Sequence, residues 1–525
     1  MEWSSLLRKK SLPDLIRDHQ EICRNPETSL KRVLGVWDLV IFGIAAIVGA
    51  GIFSTIGNAA YNGGPAIIFL FVFTAIVCGF CALSYAEFAS SVPVSGSAYT
   101  YSYIAFGELI AWIIGWDLLM EYAIGDIALT ISWSQYFTGF LKYLGFEIPA
   151  FLTMDFFSAH RGFDHVSALL AQGTSWADLV SQGTDPLWLK GYAAWTQAPQ
   201  LGSLRIICDL PTFLITIIVT WIILIGIEDS RRFSRWMVFL KLAVIFFVIA
   251  VGIFYINPNN WVPFAPNGTT GVLKGVSAIF FAYIGFDVIS TTAEECKNPQ
   301  RDLPKAMLYT LFFCTLIYVV LALVLTGVVN YKQLQVGDPL SFVFGPTGAN
   351  IPWFSGVISF TAVIALAGVL LIYQLGQTRI WMVMSRDGLL PPAFSKIHPK
   401  YRTPWVSTLA AGVLVAVPSL FLNLTEVTDL NSIGTLFALA LVSLGVLVMD
   451  PKRKDPNRKF KIPYVNAKYW YAGLMLVAAM GWVYFKRDSL SSQFSVDHIP
   501  LMVFAVEVLV LAYFSFRKNL SLITA

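Results

Sequence analysis

Twelve stretches of about twenty apolar residues follow one another along this 525-residue chain, and twenty is the length a helix needs to cross a bilayer. They fall near 37–58, 65–89, 104–140, 211–228, 235–256, 272–293, 306–329, 353–376, 404–422, 430–449, 467–485 and 498–516. The third is overlong, as expected of a span that tilts or runs beyond the bilayer. Only 13% of the residues are charged, about half of what a water-soluble surface carries. Lipid is therefore the expected solvent for most of the chain. The net charge of +4 is small and its basic residues are scattered. Nucleic acid, which selects a basic face on a soluble fold, is not an expected partner. The first thirty residues lack the apolar core of a cleaved signal, so the first span is expected to direct insertion.

Charge in the connections orients the spans. With both termini in the cytoplasm, 27 Lys/Arg fall in inner segments and eight in outer ones, the asymmetry that positive charge shows toward the cytoplasm. Residues 1–36 read as a cytoplasmic lead with a short amphipathic helix around Leu12–Ile22. Residues 37–520 read as the transport domain, with halves at 37–256 and 272–449. The segment 142–210, with His160, His165, Trp176, Trp188 and Trp195, is an extracytoplasmic insertion between spans 3 and 4. Amphipathic pieces of it such as Ser175–Val180 could lie on the membrane face, with tryptophans at headgroup level. Its two histidines make a metal site a minor alternative. Cys78 and Cys81 have C-x-x-C spacing but lie in an apolar span, where small residues at a helix contact are the simpler reading.

Two spans carry glycines where a helix should be unbroken. Span 1 holds Gly49-Ala50-Gly51 near its middle, and span 6 holds Gly285 two residues before Asp287. Glycine costs about 1 kcal/mol relative to alanine inside a helix, and a carboxylate at membrane depth marks function by default. Span 1 alone could be a small-residue packing seam. If the chain is two five-span halves, however, spans 1 and 6 correspond, and paired interrupted segments point to a transporter site. A broken helix bares N–H and C=O groups that can grip a carboxylate and an ammonium without any charged side chain. Together those groups suit a free α-amino acid.

These stretches resemble a known family. Ile44–Phe53 is similar to the glycine-rich signature, ending in Gly-Ile-Phe, of the amino acid–polyamine–organocation permeases. Phe280–Glu295, followed by Asn298-Pro299-Gln300-Arg301, resembles the cationic amino acid transporter branch in its bacterial type. So do Tyr85-Ala86-Glu87-Phe88-Ala89, Pro93-Val94-Ser95-Gly96-Ser97-Ala98-Tyr99 and Ser385-Arg386-Asp387-Gly388-Leu389-Leu390-Pro391. The resemblance implies an all-α polytopic membrane protein of twelve helices, with a LeuT-like inverted repeat of five plus five, helices 1 and 6 broken, and two added spans. It implies backbone contacts to substrate at Ile47, Gly49, Ala50 and Gly51, and at Phe281, Ala282 and Ile284, with the Phe281 or Phe286 ring as a gate. Relatives often hold a hydroxyl where Ala50 stands, so one contact fewer is expected there. Glu121, Gly125 and Asp287 are placed near the pocket, with polar glue or a helix cap as the plainer role for each acid. At Asp126 the family usually holds a small residue and the resemblance implies no role; it could join a proton path or face water at the outer end of span 3.

Lys241 interrupts the apolar stretch Trp236–Ala250 of span 5. Burial disfavours the charged form of a lysine, which makes it the candidate proton carrier; the plainer role is a fixed ammonium. The resemblance puts a lysine here where sodium-coupled relatives hold their ion. Selectivity is expected from Tyr373, whose bulk favours small or neutral substrates, and from Gln374, which could bond a polar side chain.

The expected function is thus a proton-coupled amino acid symporter of the cell membrane, not an enzyme, needing no cofactor or metal beyond the proton gradient. An exchanger of cationic amino acids or polyamines is the alternative. A membrane-embedded transferase is disfavoured because none of the five histidines lies in the interior of a span. A sensor is disfavoured because neither terminal segment is large.

Overall fold

The computed structural model describes residues 34–91, 97–181, 186–202, 204–226, 231–401, 403–449 and 460. The helix expected around Leu12–Ile22, part of the Pro93–Tyr99 motif and the spans at 467–485 and 498–516 lie outside the described residues. The architecture is helical. Among the described residues six stretches are long and apolar enough to cross a membrane, and Val36–Ile47, Leu210–Ile225 and Trp405–Ser419 are shorter apolar helices.

Span 1 is α1 (Val36–Ile47), a π turn over Gly51–Thr55, and α2 (Ile56–Gly63). Span 2 is α3 (Ile67–Ser91). A short α4 (Ser97–Ala105) precedes the 36-residue α5 (Glu108–Tyr143) of span 3. The expected start at residue 104 is therefore corrected to Glu108. The chain turns at Gly107, whose φ of 100° is a conformation that ends one helix and begins another. At 1.5 Å per residue α5 spans about 54 Å, well beyond the hydrocarbon layer.

The segment between spans 3 and 4 contains α6 (Phe156–Ala171), α7 (Trp176–Ser181), α8 (Pro186–Gln197) and a two-residue-per-strand hairpin of β1 (Gln200–Leu201) and β2 (Leu204–Arg205). Spans 4 and 5 are α9 (Leu210–Ile225) and α10 (Arg231–Gly252). Span 6 comprises α11 (Gly268–Leu273), α12 (Val276–Phe281) and, after a break, a 3-10 segment Phe286–Glu295. Then come α13 (Pro299–Val328), the short α14 (Pro339–Phe342), α15 (Pro352–Arg386), α16 (Trp405–Ser419) and α17 (Leu424–Met449).

The surface explains the composition. On α3 the exposed Phe69, Phe73, Ile76 and Phe80 recur every three or four residues, one face of a helix. In water such a stripe would be a liability; in lipid it is the outer wall. Cys78 is buried on the opposite side and both Cys78 and Cys81 are free thiols, which suits the helix-contact reading.

The interior is organised by an antiparallel seam between α5 and α15. Near one end, a Cβ on Gly356 would stand 2.6 Å from the Tyr143 ring; near the other, one on Gly115 would stand 2.4 Å from Met384. Between them the Tyr122 ring lies on Gly376 and Gln377 Nε2 donates to the Leu119 carbonyl at 3.1 Å. Small residues let the two long helices approach closely, the usual device where lipid supplies no hydrophobic drive.

The segment between spans 3 and 4 has a small core of its own: Met154, Ala159, Ala194, Ala198 and Ile207. Gly162 and Gly191 let α6 and α8 touch, since a Cβ on Gly162 would lie 2.9 Å from the Gly191 Cα. Trp195 packs against Phe156, His160 and Phe163, so this tryptophan serves the insertion's own interior. Arg161 ties α6 to Glu426 of α17 at 2.9 Å, and Asp209, the cap of α9, accepts from Ser134 at 2.7 Å. In the neighbouring connection, burial pushes the Asp338 carboxyl up to about 7.

The candidate substrate site at the two broken spans

Helix α1 stops at Ile47, and Val48 leaves it in an extended conformation (φ −74°, ψ 90°). Hydrogen bonding resumes two residues on, where the N–H groups of Ile52 and Phe53 both donate to Gly49 O at 3.2 Å. The interruption expected at Gly49-Ala50-Gly51 is therefore a real break in the helix. It leaves last-turn carbonyls without intrahelical partners, and other helices supply them. The Lys241 ammonium of α10 donates to Ala45 O and, at 2.9 Å, to Val48 O. Tyr318 of α13 donates to Ile47 O at 3.3 Å. A cation at a helix C-terminus is also favoured by the macrodipole.

Span 6 breaks differently. After Phe281 the chain passes through a tight turn, Tyr283 N–H to Phe280 O at 2.9 Å and Ile284 N–H to Phe281 O at 3.2 Å. It then reverses at Gly285, whose φ is 107°. A side chain there would be strained and would also press on Ala46 O, 3.1 Å from the Cβ position. Asp287 sits at the start of the 3-10 segment that follows and accepts backbone N–H bonds around positions 285–288. It is thus the acidic cap of a helix N-terminus.

The two breaks touch backbone to backbone. A Cβ on Gly51 would lie 2.4 Å from the Ala282 Cα, so only glycine fits. The Thr55 hydroxyl lies 2.6 Å from Gly51 O and 3.1 Å from Ala278 O, bridging the two spans. Gly49 is not pinched in the same way: the nearest atoms to its Cβ position are side-chain carbons of Val369 and Leu129, at 3.6 and 3.7 Å.

Spans 3 and 8 close one side. The Tyr373 ring lies 3.2 Å from the Cβ position of Gly125 and its hydroxyl 3.3 Å from that of Gly285, so one tyrosine links spans 3, 6 and 8. The Tyr122 ring stands 5.5 Å from it, centroid to centroid. Glu121 is buried on α5 with Thr435 of α17 beside it and Asp287 within electrostatic reach. Gln374 points away from the breaks, donating to Thr220 Oγ of α9 at 2.6 Å. Phe286 turns its ring edge-on to Tyr85, 6.0 Å away.

Most of the residues singled out in the sequence are thus gathered at or beside the two breaks, with Gln374 turned away toward Thr220. Ile47, Gly49, Ala50, Gly51, Phe281, Ala282 and Ile284 form the paired breaks, with Gly125 and Tyr373 against them. Lys241 fastens the end of α1, and Glu121 and Asp287 lie within reach of each other. Sequence reasoning missed Tyr318, Thr55 and Tyr136, whose hydroxyl donates to Phe53 O at 2.5 Å. Each is a side chain from an ordinary-looking stretch, and only tertiary packing brings it to the break.

Known proteins share this sequence over almost its whole length. The amino acid permease family matches residues 34–508. The branched-chain amino acid permease BcaP of Bacillus subtilis is 40% identical over 91% of this chain and 93% of its own. The methylthioribose transporter of the same organism is 37% identical over 88% of this chain and 89% of its own. A vacuolar cationic amino acid transporter 4 of Arabidopsis thaliana is 33% identical over 85% of this chain and 67% of its own. With its apolar helices, two spans broken at glycine and this extent of similarity, the chain belongs to the amino acid permease family and is a multi-pass membrane transporter.

Proposed function

We propose that this transporter is a secondary active symporter that moves free amino acids with protons across the cell membrane, with both termini cytoplasmic. The observation that carries the reading is the backbone contact of the two breaks at Gly51 and Ala282. A site made of main-chain groups grips what every amino acid shares. Carbonyls at the end of α1 suit the ammonium. N–H groups at Gly49, Ala50 and Gly51 suit the carboxylate, and Phe281, Ala282 and Ile284 supply the facing wall. The pairing of broken spans 1 and 6 supports a LeuT-like arrangement of five plus five spans with two added, and alternating access around the pair.

Lys241 is the proposed coupling group. Charged, it donates to the carbonyls that end α1; neutral, it keeps two N–H donors but loses the charge that the helix end favours, so its hold on them would weaken. Protonation would thereby be tied to the shape of the break. Tyr373 fills the space between Gly125 and Gly285, which favours small or neutral side chains, and a branched-chain permease among the relatives agrees. The rival is an exchanger of cationic amino acids or polyamines. The neighbouring carboxyls of Glu121 and Asp287 and the cationic relatives favour it.

The test is uptake of a labelled panel (branched-chain, small neutral and cationic amino acids, methylthioribose and a polyamine) into proteoliposomes, with and without an inward proton gradient. Gradient-driven uptake of a neutral amino acid is expected. Uptake that needs a trapped cationic partner and ignores the gradient would establish the exchanger instead. Lys241→Ala should remove the pH dependence; if the dependence is unchanged, the lysine is a fixed cap.

A further inference from the structure

Asp126 is fully buried on α5, and neither carboxylate oxygen has a hydrogen-bond partner. Its place follows from the helix repeat. Leu119, Tyr122 and Asp126 are spaced by three and four residues, one face of a helix. Tyr122 on that face meets α15 at Gly376, and the main-chain carbonyl of Leu119 accepts from Gln377 of α15. Asp126 therefore lies one turn further along the seam between α5 and α15, beside Gly125 and the Tyr373 ring.

This part of the seam has acceptors and too few donors. The Thr220 hydroxyl gives its proton to Thr216 O at 2.7 Å, so its oxygen can only accept. That fixes the Gln374 amide nitrogen toward Thr220 and leaves Gln374 Oε1 without a donor. Asn431 Oδ1 of α17, 4.0 Å from the Cβ position of Gly125, has none either. No lysine, arginine or histidine pairs with Asp126 among the described residues. The titratable groups near it are the phenols of Tyr122 on its own helix and Tyr373 on α15. Helices α9 and α16 contain no titratable side chain, and the acids of α17, Glu426 and Asp429, lie near its first turn. An isolated carboxylate sealed from water is among the costliest groups a protein can hold. One added proton removes the charge.

We propose that Asp126 is a proton-binding site of this transporter, loaded when the α5–α15 seam is closed as seen here and unloaded when the seam opens to water. One proton from water forms the carboxyl O–H bond and neutralises the carboxylate; on release it returns to water on the other side, with no other bond made or broken. Asp126 would then be a second station for the coupled proton, apart from Lys241, whose ammonium is already held by two carbonyls.

Infrared spectroscopy of the purified full-length protein in lipid tests this directly. The wild type at neutral pH should show a protonated-carboxyl C=O stretch that is missing from Asp126→Asn, and titration of the wild type to alkaline pH should bleach the same band. Wild-type and D126N spectra that are identical in this region, or a band that D126N retains in full, would overturn the proposal. That measurement is independent of the symport reading; an uptake measurement rests on it. Under a gradient of one pH unit, one coupled proton supports about tenfold accumulation, and D126N should lose about that factor. Should the wild type itself ignore the gradient, the symport reading fails while the infrared result still decides Asp126. Gradient-driven accumulation by D126N equal to wild type would exclude Asp126 from coupling.

Discussion

The two broken spans solve one problem in opposite ways. Span 1 ends a helix, so its break presents carbonyls, and donors from other helices cover them: Lys241 from α10 and Tyr318 from α13. Span 6 begins a new helical segment after its break, so it presents N–H groups, and its own Asp287 covers them. The signs follow the helix dipole, a cation at the C-terminal end and an anion at the N-terminal end. The shape of the first break is imposed from outside, by tertiary contacts; that of the second is local, set by Gly285 in a conformation other residues avoid. A break held from outside can be changed by moving its holders, whereas a local one travels with its helix.

The contact shared by both breaks should be the least tolerant point. Gly51→Val sets a branched side chain where even a Cβ lies 2.4 Å from the Ala282 backbone. Overpacking of this kind costs on the order of 3 kcal/mol or more. We expect little folded protein by size-exclusion chromatography; a well-folded, transporting G51V would show that the breaks do not meet as described.

Next in size is the external hold on span 1. Lys241→Met keeps the bulk but orphans two carbonyls at about 1–3 kcal/mol each, so a thermal-unfolding assay should register a clear fall in Tm. Gly285→Ala probes the local break and should cost less, about 1–2 kcal/mol from the left-handed backbone plus the squeeze on Ala46 O. If G285A were the more damaging of the two, the assignment of external and local control would have to be exchanged.

Much of this contrast could be read from the residues. Gly49, Gly51 and Gly285 are visible because glycine inside an apolar run is unfavourable unless the backbone needs it, and Lys241 because a lone ammonium there is so rarely tolerated. The partners of these groups were hidden. Nothing in the sequence around Tyr318 or Thr55 sets them apart from other buried hydroxyls, and their roles exist only once α13 and α12 pack on span 1. Asp287 was legible as unusual, but its capping of the 3-10 segment depends on where span 6 resumes. The helices of the segment between spans 3 and 4 were not legible, because its core is built from small and aromatic residues without a clear period. The turn at Gly107 was missed because its apolar neighbours continue the hydrophobic run.

The smallest expected effect is the most informative about the substrate. Gly49 and Gly51 look equivalent in sequence, yet a Cβ on Gly49 would make only ordinary contacts, at 3.6 and 3.7 Å, and Gly49 is not among the residues with positive φ. Gly49→Ala should therefore fold, with a stability change within about 1 kcal/mol, since alanine also restricts the unfolded chain. The packing around Gly49 gives no reason for a glycine at that position. If the bare backbone is there so that a carboxylate can approach Gly49 N–H, the added methyl will raise KM for uptake while Tm stays put. If KM and Tm are both unchanged, Gly49 only ends a helix, and the carboxylate is left to Ala50 and Gly51. The comparison then narrows to a single point, the glycine that the protein's own packing does not require.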